Sequence, residues 1–129
     1  MGGSVGATLT DSNGGGALLS TVNAPGEALY TALIDGVAVQ TLYPNPSSLS
    51  VVAPFTSATL PGVAFGTPIP SQPGPPVLTS IAIQLKFTLS PGDSVGFTSV
   101  FNVVPEPASM GLLGLAATGL LARRRRRTA

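Results

Sequence analysis

Five of the six cations in this chain stand in one run, Arg123 to Arg127, directly behind the fifteen residues 108 to 122, which carry no charge. At a 1.5 Å rise a helix over those residues spans roughly 22 Å, short of a bilayer core of about 30 Å. Gly111, Gly114 and Gly119 weaken it further. By length alone, burial as a core helix is a fair rival. The arginines favour the membrane, because they snorkel to headgroups, extend the effective span and mark the cytoplasmic side. About 105 residues then remain for a folded body, enough for one modest core.

Residues 1 to 122 hold Lys86 alone against five acids, a net of −4. That body presents no basic field, so nucleic acid is not an expected partner. The Arg run could serve nucleic acid, but its place beside an apolar segment favours the membrane. With no Cys and no His, thiolate nucleophiles, disulfides, the commonest general base and the commonest metal ligand are all missing. No catalytic residue, metal site or cofactor is therefore expected, and the chain is not read as an enzyme. Sixteen Gly, thirteen Pro and 9% charged residues suit strands joined by many turns, with Ser and Thr on the wet faces.

From Thr79 to Leu89, Ile81, Ile83, Leu85, Phe87 and Leu89 alternate with polar or small residues, as in a half-buried strand. After Ser90-Pro91-Gly92-Asp93 the alternation resumes with Val95, Phe97, Ser99, Phe101 and Val103. A three-residue loop, Pro91 to Asp93, pairs Leu89 with Val95 and Phe87 with Phe97 in a hairpin. A connection between two different sheets is the competing reading.

Upstream, Asp35-Gly36 between Ala28–Ile34 and Val37–Tyr43 predicts a type I′ hairpin with Ile34, Ala32 and Tyr30 beside Val37, Val39 and Thr41. Leu49–Phe55 and Thr59–Phe65 supply shorter strands, which Pro54 and Pro61 push to edges or ends. Residues 66 to 76, with five prolines, predict a polyproline-like loop. The Gly-rich stretch 1 to 20 is either frayed or an orphaned strand. The expected architecture is all-β, an antiparallel sandwich that is complete or lacks its first strands, followed by a single short C-terminal transmembrane helix. Two regions follow: a β-rich extracellular body over 1–103 and a tail over 104–127.

In the tail, Val104-Pro105-Glu106-Pro107 precedes the uncharged segment. Its two prolines hold the chain extended and remove donors, so neither strand nor helix runs through it. An enzyme groove can read such a peptide. The order Pro-Glu-Pro, short apolar helix, arginine cluster resembles the PEP-CTERM sorting signal that exosortase-type membrane enzymes of exopolysaccharide-producing Gram-negative bacteria recognise and cleave. The segment from Phe87 to Ser99 also resembles the last strands of β-sandwich proteins that carry this signal.

The resemblance implies that Pro105, Glu106 and Pro107 are the recognition element. It makes Ala108, Leu112, Leu113, Leu115, Leu120 and Leu121 part of a transient inner-membrane anchor, and Arg123, Arg124, Arg125, Arg126 and Arg127 the stop-transfer cluster. The mature body would reach the cell surface or an extracellular matrix, with exopolysaccharide as a further partner and a structural or adhesive role. Because Met1 to Gly6 has neither a basic nor an apolar leader region, the sequence is expected to be an N-terminally truncated member lacking its export signal.

Rival readings remain open. A carbohydrate-binding module on the same anchor would depend on Tyr30 and Tyr43, since the chain has no Trp. A hydrolase would need carboxylates such as Asp93 and Glu27 to meet without His. The run Asp11-Ser12-Asn13-Gly14 is similar to the opening of a calcium loop but lacks the later ligands, so a solvated turn is the better reading. A truncated remnant without an independent fold is the last alternative.

Overall fold

A computed structural model describes residues 1–104 and 108–127, with side chains over 1–104 and 114–124. Nine strands precede one helix. They are β1 (Gly2–Thr10), β2 (Ala17–Ser20), β3 (Ala28–Ile34), β4 (Val37–Pro44), β5 (Ser48–Val51), β6 (Ser57–Phe65), β7 (Ile81–Leu85), β8 (Thr88–Leu89) and β9 (Ser94–Asn102); the helix is α1 (Ala108–Arg127).

The strands form three antiparallel sheets of three, ordered β6-β1-β9, β5-β2-β8 and β4-β3-β7. The mostly-β reading holds, with the ladders divided among three small sheets where a sandwich was expected to have two. The second and third sheets have matching rows, β2 with β3, β5 with β4 and β8 with β7, and every row is interrupted. Polar contacts fill the breaks: Thr21 Oγ1 donates to Asn45 Oδ1 at 2.8 Å, and Lys86 Nζ lies 3.1 Å from Glu27. Side chains of β1 serve both sheets. Ala7 and Leu9 pack with Leu19, Leu29, Val51 and Leu60, while Val5 packs with Tyr30, Ala32, Leu42 and Phe65.

Residues 1 to 20 are neither frayed nor orphaned. β1 is the central strand of the first sheet and β2 the central strand of the second. Inward Val5, Ala7 and Leu9 alternate with outward Ser4, Gly6 and Thr8, but small side chains and glycines make the period faint in sequence. The glycines answer to packing. A Cβ on Gly3 would lie 2.5 Å from the carbonyl oxygen of Val100 and 2.8 Å from Phe65 Cε1.

The Asp35-Gly36 hairpin forms with Ile34 opposite Val37, and both turn residues take positive φ, 51° and 79°. A bulge between Ala32 and Leu33 then corrects the expected register: Ala32 faces Gln40 and Tyr30 faces Leu42, not Val39 and Thr41. One extra residue exchanges the two faces of the partner strand, which buries Leu42 and exposes Thr41.

The expected hairpin between 79–89 and 95–103 does not form. The first segment breaks at Lys86-Phe87 into β7, which joins β3, and β8, which joins β2, whereas β9 joins β1. The cross-sheet connection is the observed one. Phe87 and Phe97 still meet, with ring centroids 4.9 Å apart, but as a packing contact and not as ladder partners. Pro61 lies in edge strand β6, opposite the register shift at Gly6, where a missing donor disrupts no ladder bond. The proline-rich 66–76 segment contributes no strand and folds against the start of β1, with Gln72 N donating to Met1 O at 2.9 Å.

Candidate functional site

The ladder of β9 with β1 continues to its last residue, Asn102 opposite Gly2. Val103 and Val104 then leave the sheet, and Val104 is 60% exposed. The expected recognition residues Pro105, Glu106 and Pro107 lie outside the described residues. Beyond them α1 runs through the expected anchor and arginines for 20 residues.

Of the anchor residues, Leu115, Leu120 and Leu121 are 74%, 68% and 64% exposed. The side chains of Ala108, Leu112 and Leu113 are not among those described. α1 is thus not buried along 114–124 as a core helix would be. Thr118 Oγ1 donates back to the carbonyl of Gly114, so the one hydroxyl in the middle of the apolar segment is satisfied within the helix. Arg123 and Arg124 are exposed in the last turn, where cations complement the helix dipole; the side chains of Arg125, Arg126 and Arg127 are outside the described set. Among the described residues, no helix is long and apolar enough to cross a membrane. The expected transmembrane helix is corrected accordingly. A helix forms, but its charge-free part ends at Ala122, about one to two turns short of a bilayer core.

The other candidate residues resolve into structural roles. Asp11 is buried, not solvated, and its carboxylate accepts from the backbone N–H groups of Asn13, Gly14, Gly16 and Phe55 at 2.8–3.2 Å. Burial pushes its pKa up, but the four donors outweigh that and leave it lowered. Oxygens surrounded by N–H donors suit an anion held in a turn, not a cation ligand. Among the described residues, no group of three His, Cys, Asp or Glu side chains could hold a metal ion.

Glu27 pairs with Lys86, while Asp93 accepts from Ser90 Oγ and, at 3.2 Å, from the N–H of Ser12. Their separate partners leave no acid–base pair. Tyr30 is fully buried, so it offers no face to a sugar, and the Tyr43 hydroxyl donates to the carbonyl of Pro61. A cleft beside Leu19, Leu29, Leu49 and Leu60 has a volume of about 10 Å³, far below the roughly 300–1,000 Å³ of small-ligand pockets.

Sequence reasoning missed the Asp35 carboxylate as a clamp. It accepts from the N–H groups of Leu78, Thr79 and Ser80 at 3.0, 2.7 and 2.9 Å and from Thr79 Oγ1 at 2.9 Å. These donors hold its pKa far below the usual carboxylate range. The Asp-Gly pair signals the turn, but no local pattern signals a clamp on residues more than forty positions away.

A β-rich body with an exposed, short, arginine-ended helix after its last strand defines a class: a β-domain with a helical C-terminal tail. Residues 103–127 match the family model of the PEP-CTERM protein-sorting motif, so the chain carries that C-terminal sorting signal. Comparison with curated proteins gives no match, and comparison with solved structures gives none either.

Proposed function

We propose that this chain is an exported surface protein of a Gram-negative bacterium whose tail is a temporary address label. The observation that carries this reading is the sorting-motif match over 103–127, which begins where β9 leaves its ladder. An exosortase, a membrane enzyme, recognises the Pro105-Glu106-Pro107 peptide. The uncharged 108–122 segment, one to two turns short of a bilayer core, seats in the inner membrane only as a transient anchor, and Arg123 to Arg127 hold it at the headgroups as the stop-transfer cluster.

Cleavage near the motif frees the body, residues 1–103, into the surface layer or an exopolysaccharide matrix. The body acts there as a structural or adhesive component, and its part in sorting is that of a substrate, not a catalyst. Support for the passive role is the set of structural duties found for Asp11, Glu27, Tyr30 and Asp93. A weakly charged Ser/Thr face on the first sheet, including Thr8, Thr59 and Thr98, suits a hydrated polysaccharide setting.

The test is to express the chain behind a secretory leader in a host that has an exosortase, and to determine the C-terminus of the surface form by mass spectrometry. Loss of α1 from the surface form is expected, together with retention of the uncut chain when Glu106→Ala is introduced. A surface form that still ends in the arginines would overturn the cleavage step.

A further inference from the structure

The charges of the body are segregated along its length. Leu9, Leu29 and Leu60 belong to one core cluster, and Val5, Tyr30, Phe65 and Phe101 belong to or pack on the other. Both β3 and β9 run from the first cluster toward the second. Asp11 and Asp93 lie at the first end, joined through the Ser12 N–H, and the Glu27–Lys86 pair sits at the break between the second and third sheets.

At the second end stand the hairpin tip 35–36, the start of β7, the 66–76 loop and the exit of β9. The charges there are the Asp35 carboxylate, taken up by four donors from 78–80, and the Met1 ammonium, which donates to the carbonyl of Gln72. Residues 66 to 85 contain no charged side chain.

This sparsely charged pole is also apolar on its surface. Leu78 is 82% exposed, Val37 66%, Val104 60% and Ile69 38%. Leu78 is not left to wander, because its own N–H is held by Asp35 at 3.0 Å. Ile69 is fixed against β1, where a Cβ on Gly2 would come within 3.1 Å of its Cγ2. Exposed apolar side chains mark interaction surfaces, and since Val52 and Phe55 at the acidic end are also exposed, at 87% and 70%, it is the tether to α1 that singles this pole out.

The tether identifies what covers it. Residues 103–107 are all that separate the end of β9 from α1, and five extended residues reach at most about 17 Å. With α1 in the bilayer, this pole is therefore held at the membrane, and the acids at the other end point to water.

The geometry points to a lipid-facing pole: Val37, Ile69, Leu78 and Val104 rest in the headgroup–acyl boundary of the outer leaflet for as long as the tail stays attached. This rests on the sorting reading above. Burying these side chains adds to the hold of a helix too short to anchor firmly alone. Removal of the tail leaves the pole with only its own apolar contacts, which releases the body.

The chain has no Cys, so a single fluorophore can be placed at will. Full-length Leu78→Cys, Ile69→Cys and Ser12→Cys variants, each labelled with an environment-sensitive dye, are reconstituted with vesicles of phosphatidylcholine and phosphatidylglycerol and floated on a gradient. Circular dichroism confirms that each labelled variant keeps its β signature. Floated protein should show blue-shifted emission at positions 69 and 78. Lipid-borne quenchers should act about threefold more strongly there than at position 12, as burial about 5–10 Å into the boundary region requires.

Flotation with equal, weak quenching at all three positions would overturn the lipid-facing pole and leave the sorting reading standing. Failure to float would overturn both. Protection that appears only when exosortase-containing membranes replace the vesicles would assign the pole to the enzyme and overturn the lipid assignment.

Discussion

The hydroxyl of Tyr30 on β3 donates a 2.8 Å hydrogen bond to the carbonyl of Val100 on β9, tying the third sheet to the first across seventy residues of sequence. It does so above Gly3, where a Cβ would come within 2.7 Å of that same hydroxyl. A fully buried phenol, a strand carbonyl and a glycine thus define one packing point that no single segment specifies.

Tyr30→Phe keeps the ring contacts with Phe65 and removes the hydrogen bond, so it should lower unfolding free energy by about 0.5–1.5 kcal/mol. Tyr30→Ala should lose about 3–5 kcal/mol, because it also empties the centre of the second cluster. Urea denaturation of both variants checks the difference.

The same residue predicts an alkaline limit. Burial pushes the Tyr30 pKa from 10.0 up to about 12, so the folded state favours the neutral phenol. Its contribution is complete below pH 10 and is lost as pH rises through about 12. Thermal melts at pH 9 to 12 should show this fall in the wild type and a shallower one in Tyr30→Phe.

At the acid end, the lowered pKa values of Asp11 and Asp35 make their ionised forms more favourable folded than unfolded. That stability is present above the unfolded value of 3.8 and is lost as pH falls below it. Asp11→Asn and Asp35→Asn should each be less stable at pH 7 and less sensitive to acid between pH 4 and pH 2, as read from melting temperature against pH.

Gly3→Ala should destabilise the body by about 1–3 kcal/mol, since its Cβ would press on the Val100 carbonyl and the Phe65 ring, neither of which is the free end of a flexible chain. Gly96→Ala, in the facing strand with open space around its Cβ, is the control and should stay within about 0.5 kcal/mol. Calorimetry on the pair tests whether packing, and not strand propensity, places the glycine.

Deleting residues 105–127 should leave the denaturation midpoint of the body unchanged, because the described leucines of α1 are exposed. A large drop in the midpoint would mean that the helix supports the fold.

The sequence by itself determined what is written locally. Asp35-Gly36 set a type I′ turn because few residue pairs tolerate two positive φ angles in succession. The prolines of 66–76 kept that segment out of the ladders, and the order of motif, uncharged helix and arginines marked the tail through charge and length alone.

Tertiary structure alone decided which strand pairs with which. Alternation in 79–89 shows which face is buried but not against what, and the segment divides between β3 and β2 at Lys86-Phe87, where Lys86, one of the polar alternates, pairs with Glu27. The central place of β1 was equally illegible, since its glycines and small side chains read as weak strand formers until Tyr30, Phe65 and Val100 crowd in beside them. Periodicity is a property of one segment. Partners, bulges and close approaches belong to the space that several segments fill together.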